Sequence, residues 1–270
     1  MKRLSWDIPH PGHCETDLVH HCGRTTSGDY LCTLQMIDVA TGWSERYAVL
    51  GRSYLVMKDA FLVFLTRLPF PVKEIHPDNG SEFFNNHMLR FWGQRVQGVT
   101  LSRSRPYQKN DNPRVEQKNS TLVRAYLGNE RLDTVAHVRA VNRLYDKMWI
   151  YYNLFQPVMH LVEKEIIREE DQTTRVRRRH DKARTPFDRL CDTTAILPAH
   201  REQLEALRDS INPRRLRSEI YDAIDDIFKL PCAEPGSSQN VHLTLAKNRE
   251  NGKELLSKLA FNRTPVKPQP

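Results

Sequence analysis

The sequence has no long hydrophobic run, no CxxC pair and no internal repeat, and each absence closes off a class of protein. No apolar stretch approaches the roughly 20 residues that a membrane-crossing helix needs. The opening MKRLSWDIPHPGH holds no apolar core of a signal peptide. No membrane partner is expected, and the cytoplasm is the expected location. The five cysteines, Cys14, Cys22, Cys32, Cys191 and Cys232, are odd in number and widely spaced, which argues against a disulfide framework or a zinc ribbon. Reduced, mostly structural thiols are expected. His10, His13, His20 and His21 crowd around two of these cysteines. Their order is not that of a zinc domain, and half the group falls on a predicted strand whose side chains alternate between faces.

Positive charge, by contrast, is plentiful. The chain carries 41 Lys and Arg against 33 Asp and Glu, a net +8, and its pI is near 9.3. That balance favours a polyanionic partner, because each neutralised phosphate releases condensed counterions. At 270 residues the chain exceeds a typical domain of roughly 100 to 200 residues, so one core domain and a smaller C-terminal region are expected.

Alternation and turn residues predict three strands, around Glu15 to Cys22, Tyr30 to Asp38 and Ser44 to Leu50, separated by Gly-containing connections that suit an antiparallel meander. Ser53 then caps a mostly apolar helix, YLVMKDAFLVFLTRL, that Pro69 and Pro71 stop. A short strand ending at Ile75, a turn at HPDNGSEF, a helical stretch over residues 82 to 96 and another short strand, VTLSRS, follow. Pro113, with Asn112 before it as a cap, starts a helix that Gly128 ends. The order βββαβαβα predicts an α/β fold with a mixed sheet and helices packed on it. Another helix, Thr134 to about Phe155, shows apolar residues at helical spacing. The core domain is placed at residues 1–160. Residues 161–184 read as a charged connector with almost no apolar content, 185–232 as a helical C-terminal region, and 233–270 as a mobile tail with one marginal helix near 254–260.

Three carboxylates stand out. Asp17 lies in a candidate strand, on the same face as Glu15 and Val19 by alternation, where a buried strand ordinarily avoids Asp. Asp78 opens an Asn-Gly turn after a strand, and Glu116 lies in the first turn of a helix. Each has an ordinary reading on its own: a strand-edge charge, a turn signal, a helix-dipole partner. If they converge, two carboxylates about 4 Å apart repel by roughly 4 kcal/mol at an effective dielectric near 20, so a cation between them is required. Hard oxygen donors suit Mg²⁺, with Mn²⁺ as a substitute. A pair of such ions can clamp the oxygens of an in-line phosphoryl displacement.

The pair TD at residues 16 and 17, HPDNGSEF at 76 to 83 and YQKNDNPRVEQKN at 107 to 119 resemble the three signature blocks of DDE-type transposases of bacterial insertion sequences, within the retroviral-integrase superfamily. The separation of Asp78 from Glu116 is close to that family's usual spacing. The likeness continues through YYNLFQP at 151 to 157 and TPFDRL at 185 to 190, and covers roughly residues 9 to 190.

The resemblance implies a ribonuclease-H-like fold, a mixed five-stranded sheet flanked by helices, with a helical C-terminal extension. It implies that Asp17, Asp78 and Glu116 are the metal-binding catalytic triad of a polynucleotidyl transferase that cuts and joins DNA, with Mg²⁺ or Mn²⁺ as cofactor. DNA element ends and target, a homo-oligomer on that DNA and a bacterial, nucleoid-associated location come with it. Asn79, Lys109, Asn110, Arg114, Lys118 and Arg124 are the implied DNA contacts near the carboxylates. Arg177, Arg178 and Arg179, in the run RVRRRH, are candidates to follow a DNA backbone. Many relatives have a basic residue where this chain has Val123, next to Arg124. The family's helix-turn-helix region ahead of the catalytic domain is not in this sequence, so end recognition is expected from a separate domain or chain. Two alternatives stay open: a nuclease on the same fold that does not join, and a truncated DNA-binding remnant of a transposase.

Overall fold

The computed structural model describes residues 4, 8–78, 80–105, 112–168, 174–234, 236–248 and 261. Strands β1 (His13–His20), β2 (Leu31–Asp38) and β3 (Ser44–Leu50) form the antiparallel meander. Helix α1 (Tyr54–Arg67) begins after Ser53 and gives way at Leu68, just ahead of Pro69; Ser53 stands at the N-cap position but its side chain makes no cap bond, which corrects the expectation that it caps this helix. Strands β4 (Glu74–Pro77) and β5 (Thr100–Leu101) then add in parallel, β4 beside β1 and β5 beside β4. The sheet runs β3-β2-β1-β4-β5, so the expected mixed five-stranded sheet is what forms.

The stretch over residues 82 to 96 does not make the single helix expected of it. It breaks into α2 (Ser81–Phe84), α3 (Asn86–Arg90) and a π turn over Phe91–Arg95. The break is chemical: Asn85 sits extended and its side chain accepts the Met88 N–H at 2.9 Å, which caps a new helix. Helix α4 (Pro113–Lys118) continues through a π segment, Asn119–Arg124, into α5 (Ala125–Leu127), and stops at Gly128. Helix α6 (Val135–Ile150) is capped by Thr134 and runs on through a π turn over Tyr151–Phe155.

Helix α1 buries Val56, Met57, Ala60, Phe61 and Phe64 in one apolar core with Cys32, Leu34, Met36, Tyr47 and Val49 of the sheet. Each such side chain contributes about 1.5–3 kcal/mol on burial. The other sheet face is polar, and α6 covers it by hydrogen bonding. Asn142 bridges both Ala48 backbone groups at 2.8 and 2.9 Å, Tyr145 meets Thr33 at 2.7 Å, and Asn153 accepts from Ser44 N at 2.9 Å. All five cysteines are free thiols, with Cys14 and Cys32 buried.

The segment expected to be a charged connector is a two-stranded antiparallel ribbon instead, β6 (Leu161–Arg168) and β7 (Thr174–His180). Its strands pair in register with mostly exposed side chains, including two cross-strand charge pairs, and bury no continuous apolar face, which is why a search for hydrophobic alternation passes it over. Below the ribbon, Arg189 fastens the chain by donating to Asp181 at 2.6 and 3.0 Å and to the carbonyls of Val158 and Lys182. The helical extension follows as α7 (Pro186–Cys191), α8 (Pro198–Asp209) and α9 (Pro213–Phe228). Leu216, Ile220, Ile224 and Ile227 line the buried stripe of α9, and α9 packs on α6. Past residue 232, Leu245 and Phe261 are buried in the same core, while the marginal helix expected near 254–260 lies outside the described residues.

One glycine position is decisive for the sheet edge. Gly12 has φ +112°, and a Cβ there would come within 2.6 Å of the Pro71 carbonyl oxygen. Its own carbonyl accepts from Lys73 N and Glu74 N at 2.8 and 3.0 Å, so this approach holds β4 in place. Gly12→Ala is expected to lower unfolding free energy by roughly 1–3 kcal/mol, read as a shift in the urea midpoint.

Candidate active site

Strand alternation places Glu15, Asp17 and Val19 on the polar sheet face, opposite Ile37, Gln35 and Thr33 of β2. Helix α4 lies over this face, and Glu15 is what attaches it. Glu15 is fully buried. Its Oε2 accepts the backbone N–H groups of Arg114 and Val115 at 2.8 and 3.0 Å, and Arg114 Nη1 donates to Oε1 at 3.3 Å. The carboxylate thus does the work of a helix cap from another strand, where N-terminal N–H groups and the helix dipole favour negative charge. Asn112 stands at the N-cap position but its side chain makes no cap bond, which corrects the expectation that it caps this helix. Burial raises the Glu15 pKa, opposed by the Val115 N–H and the Arg114 charge.

Asp17 is held from two sides. Its Oδ1 accepts from Leu18 N at 2.8 Å and its Oδ2 from Asn119 Nδ2 at 2.6 Å. Asn119 is three residues beyond Glu116, hence on the same side of the helical rod. Burial, followed by the charges of Asp78 and Glu116, pushes the Asp17 pKa up to about 7, against the lowering hydrogen bonds from Leu18 and Asn119. Both other carboxylates are therefore close enough to act electrostatically on Asp17. Asp78 is exposed just past β4, and its Oδ1 accepts from Gly80 N at 2.9 Å in a side-chain-closed turn. Glu116 is exposed in the first turn of α4.

Asp78 and Glu116 thus both act electrostatically on Asp17. Among the described residues no set of three His, Cys, Asp or Glu side chains is close enough to hold one metal ion. The donor chemistry still suits a hard divalent cation: the atoms are carboxylate oxygens, and Asp17 is half-buried among like charges that a cation would relieve.

No family model matches the chain. The uncharacterized protein y4rM of Sinorhizobium fredii (strain NBRC 101917 / NGR234) is 40% identical over 159 residues, which cover 59% of this chain and 45% of that protein. The chain therefore spans less than half the length of this curated relative. Among solved structures, the HTLV-2 integrase catalytic core domain, in complex with magnesium and dimeric, is 17% identical over 55% of this chain and 90% of that one, with a TM-score of 0.40. The simian T-cell lymphotropic virus intasome, in complex with PP2A regulatory subunit B56 gamma, is 15% identical over 47% of this chain and 44% of that one, also at 0.40. The fold is ribonuclease-H-like. Its own strand order decides this, three antiparallel strands with two parallel strands added beyond β1.

The other residues singled out in the sequence fall in several places. Asn79, Lys109 and Asn110 lie outside the described residues. The Arg114 backbone and guanidinium are engaged with Glu15. Arg124 donates to the carbonyls of Gly128 and His20 at 3.1 and 2.8 Å, tying the helical rod to β1. Lys118 points away from the carboxylates into a cleft, and burial, then the Arg46 charge, brings its pKa down to about 8. Arg177, Arg178 and Arg179 are on the ribbon. His76 is buried and meets Ser102 Oγ at 2.6 Å, which anchors β4 to the segment after β5. Glu15 and Asn119 escaped sequence reasoning as site residues. The available signals were a second acid two residues before Asp17 and an amide three residues after Glu116.

Proposed function

We propose that the chain is the catalytic domain of a DNA strand-transferring enzyme of the DDE transposase and integrase type, with Asp17, Asp78 and Glu116 as its metal ligands. The observation that carries this reading is Asp17, a half-buried carboxylate held by Leu18 N and Asn119 and charged against both other acids. Like charges beside a half-buried carboxylate leave it to be relieved by a proton or by a bound cation. The three signature blocks, TD, HPDNGSEF and NDNPRVEQKN, supply the three carboxylates in the order the family uses them.

In this mechanism Asp17, Asp78 and Glu116 hold Mg²⁺ or Mn²⁺, which when bound supplies Lewis-acid activation of a phosphoryl group and of the attacking oxygen. The chain's own part is positional. Glu15 fixes the start of α4, and with it the first turn that carries Glu116. Asn119 and Leu18 N fix the Asp17 carboxylate. Water would serve as nucleophile in cleavage and a DNA 3′-hydroxyl in joining, so no covalent bond to the protein is needed. The acting form is a homo-oligomer on paired DNA ends.

The test is incubation of supercoiled plasmid with the chain and Mg²⁺ or Mn²⁺. Open-circular and joined products that need the metal support the reading; open circles without joining favour a nuclease on the same fold. Absence of both products, with salt-sensitive DNA binding retained, sinks the catalytic reading and leaves a DNA-binding remnant. Asn119→Ala is expected to keep its fold by circular dichroism and to lose about 10- to 100-fold in cleavage rate, the usual effect of removing a group that orients a metal ligand.

A further inference from the structure

The ribbon sorts its arginines onto two faces, and the two faces differ in chemistry. On one, Arg179 pairs with Glu163 at 2.9 Å and Arg177 with Glu165 at 3.9 Å, directly across the strands. On the other, Lys164 stands opposite Arg178 and Ile166 opposite Val176. Like charges directly opposite each other are destabilising, and neither Lys164 nor Arg178 has an ion pair among the described residues. Ile166 and Val176 beside them are 60% and 40% exposed. Arg175, on the first face, stands opposite Ile167, so what sets the second face apart is that, among the described residues, Lys164 and Arg178 sit opposite each other without an ion pair, beside an exposed apolar pair.

That face continues into a built surface. Alternation along β7 puts His180 on the side of Arg178, and the irregularity between Leu161 and Glu163 brings Leu161 opposite His180. Both line a cleft of about 580 Å³ at the foot of the ribbon. Its far wall is formed by Arg114, Gln117, Lys118 and Thr121, spaced i, i+3, i+4 and i+7 on the helical rod and so on the side turned away from Glu116 and Asn119. Lys118 has no ion pair among the described residues. A stripe of cations without an ion pair among the described residues thus runs from Lys118 past the cleft to Lys164 and Arg178 on the ribbon, on the opposite side of α4 from Glu116.

We propose that this stripe is a second DNA-binding track, which holds a double-stranded segment other than the one at the carboxylates. It rests on the reading of the chain as a DNA-acting enzyme. A strand of eight residues is roughly 26 Å long, and a two-stranded ribbon fits the major groove of duplex DNA, about 12 Å wide. Lys164 and Arg178 meet phosphates there, and Ile166 and Val176 lie against base edges or sugars. The ion-paired face, with Arg177 and Arg179, is turned outward. Of the three neighbouring arginines, then, Arg178 is the DNA contact.

Two double variants of the full chain separate the faces, Lys164→Ala with Arg178→Ala and Arg177→Ala with Arg179→Ala. Binding to a short labelled, unnicked duplex is followed by fluorescence anisotropy across a salt titration. The first variant is expected to reduce the slope of log affinity against log salt by about 2, one unit for each lost phosphate contact. The second is expected to change it by less than about 1, because those charges are already paired. Equal effects, or a larger effect from the second, overturn the proposal. So does an unchanged slope accompanied by a change in oligomeric state on sedimentation, which would make a second copy of the chain the occupant. Plasmid nicking on the same proteins keeps the two readings apart. Nicking by the wild type with DNA binding unaltered in Lys164→Ala/Arg178→Ala removes the track and leaves the enzyme. Slope loss without nicking by any protein removes the enzyme and leaves the track.

Discussion

Asp17→Asn is expected to abolish metal-dependent nicking, by more than the roughly 10²- to 10³-fold that loss of one preorganised charge-stabilising group costs, and to make the metal-free protein more stable at alkaline pH. The first effect follows from removing a charged metal ligand while keeping the shape of the side chain and its bond from Leu18 N. The second follows from linkage. The Asp17 pKa is raised from 3.8 to about 7 in the folded chain, so between those values the native state binds more protons than the unfolded one, and stability falls as pH rises. This penalty is absent below 3.8 and fully present above about 7. With a chelator present, the melting temperature of Asp17→Asn should exceed that of the wild type above neutrality and match it in acid. Glu116→Gln removes one of the charges that raise Asp17 and should show a smaller gain of the same sign. A variant that loses stability at alkaline pH would show that Asp17 is a structural acid, and retained nicking would remove it from catalysis.

Glu15→Ala is expected to produce the largest loss of stability, about 3–5 kcal/mol, as breaking a buried charge pair from one side does. The substitution strands two backbone N–H groups at the start of α4 and leaves Arg114 without its partner. Because those bonds also fix the first turn of α4, which carries Glu116, activity should fall even at temperatures where the variant is folded. Glu15→Gln separates the two contributions: its carbonyl still accepts hydrogen bonds, and only the charge is lost. A smaller stability loss with partial activity is expected from Gln, measured by denaturant titration and nicking in parallel. Equal stability of all three proteins would mean that α4 is held by its apolar contacts, such as Val115, and not by this carboxylate.

Local pattern was enough for the meander and for α1, because those elements carry their own signals: alternation with Gly-containing connections, and an apolar stretch closed by Pro69 and Pro71. Pattern failed where stability comes from a partner distant in sequence. Residues 161–184 look like a solvated charge run until Glu163 and Arg179 are set opposite each other, and no apolar periodicity announces that pairing. The 82–96 stretch has helical spacing throughout, yet the single cap bond from Asn85 restarts it. The rod after Pro113 reads as one helix, and the structure puts a π segment at Asn119–Arg124.

Sequence alone determined which residue types are present for chemistry, three carboxylates with hard oxygens and no nearby CxxC, along with the order of strands and helices that could bring them to one edge. The tertiary structure decided how those carboxylates are held. Glu15 meets Arg114 across 99 positions and Asn119 meets Asp17 across 102. It also decided which arginines of RVRRRH are neutralised. Alternation and turn chemistry act over a few neighbours, so a sequence displays them openly. A hydrogen bond or ion pair between distant residues depends on strand register and on the angle at which a helix lies over a sheet, and those are set only when the whole core packs.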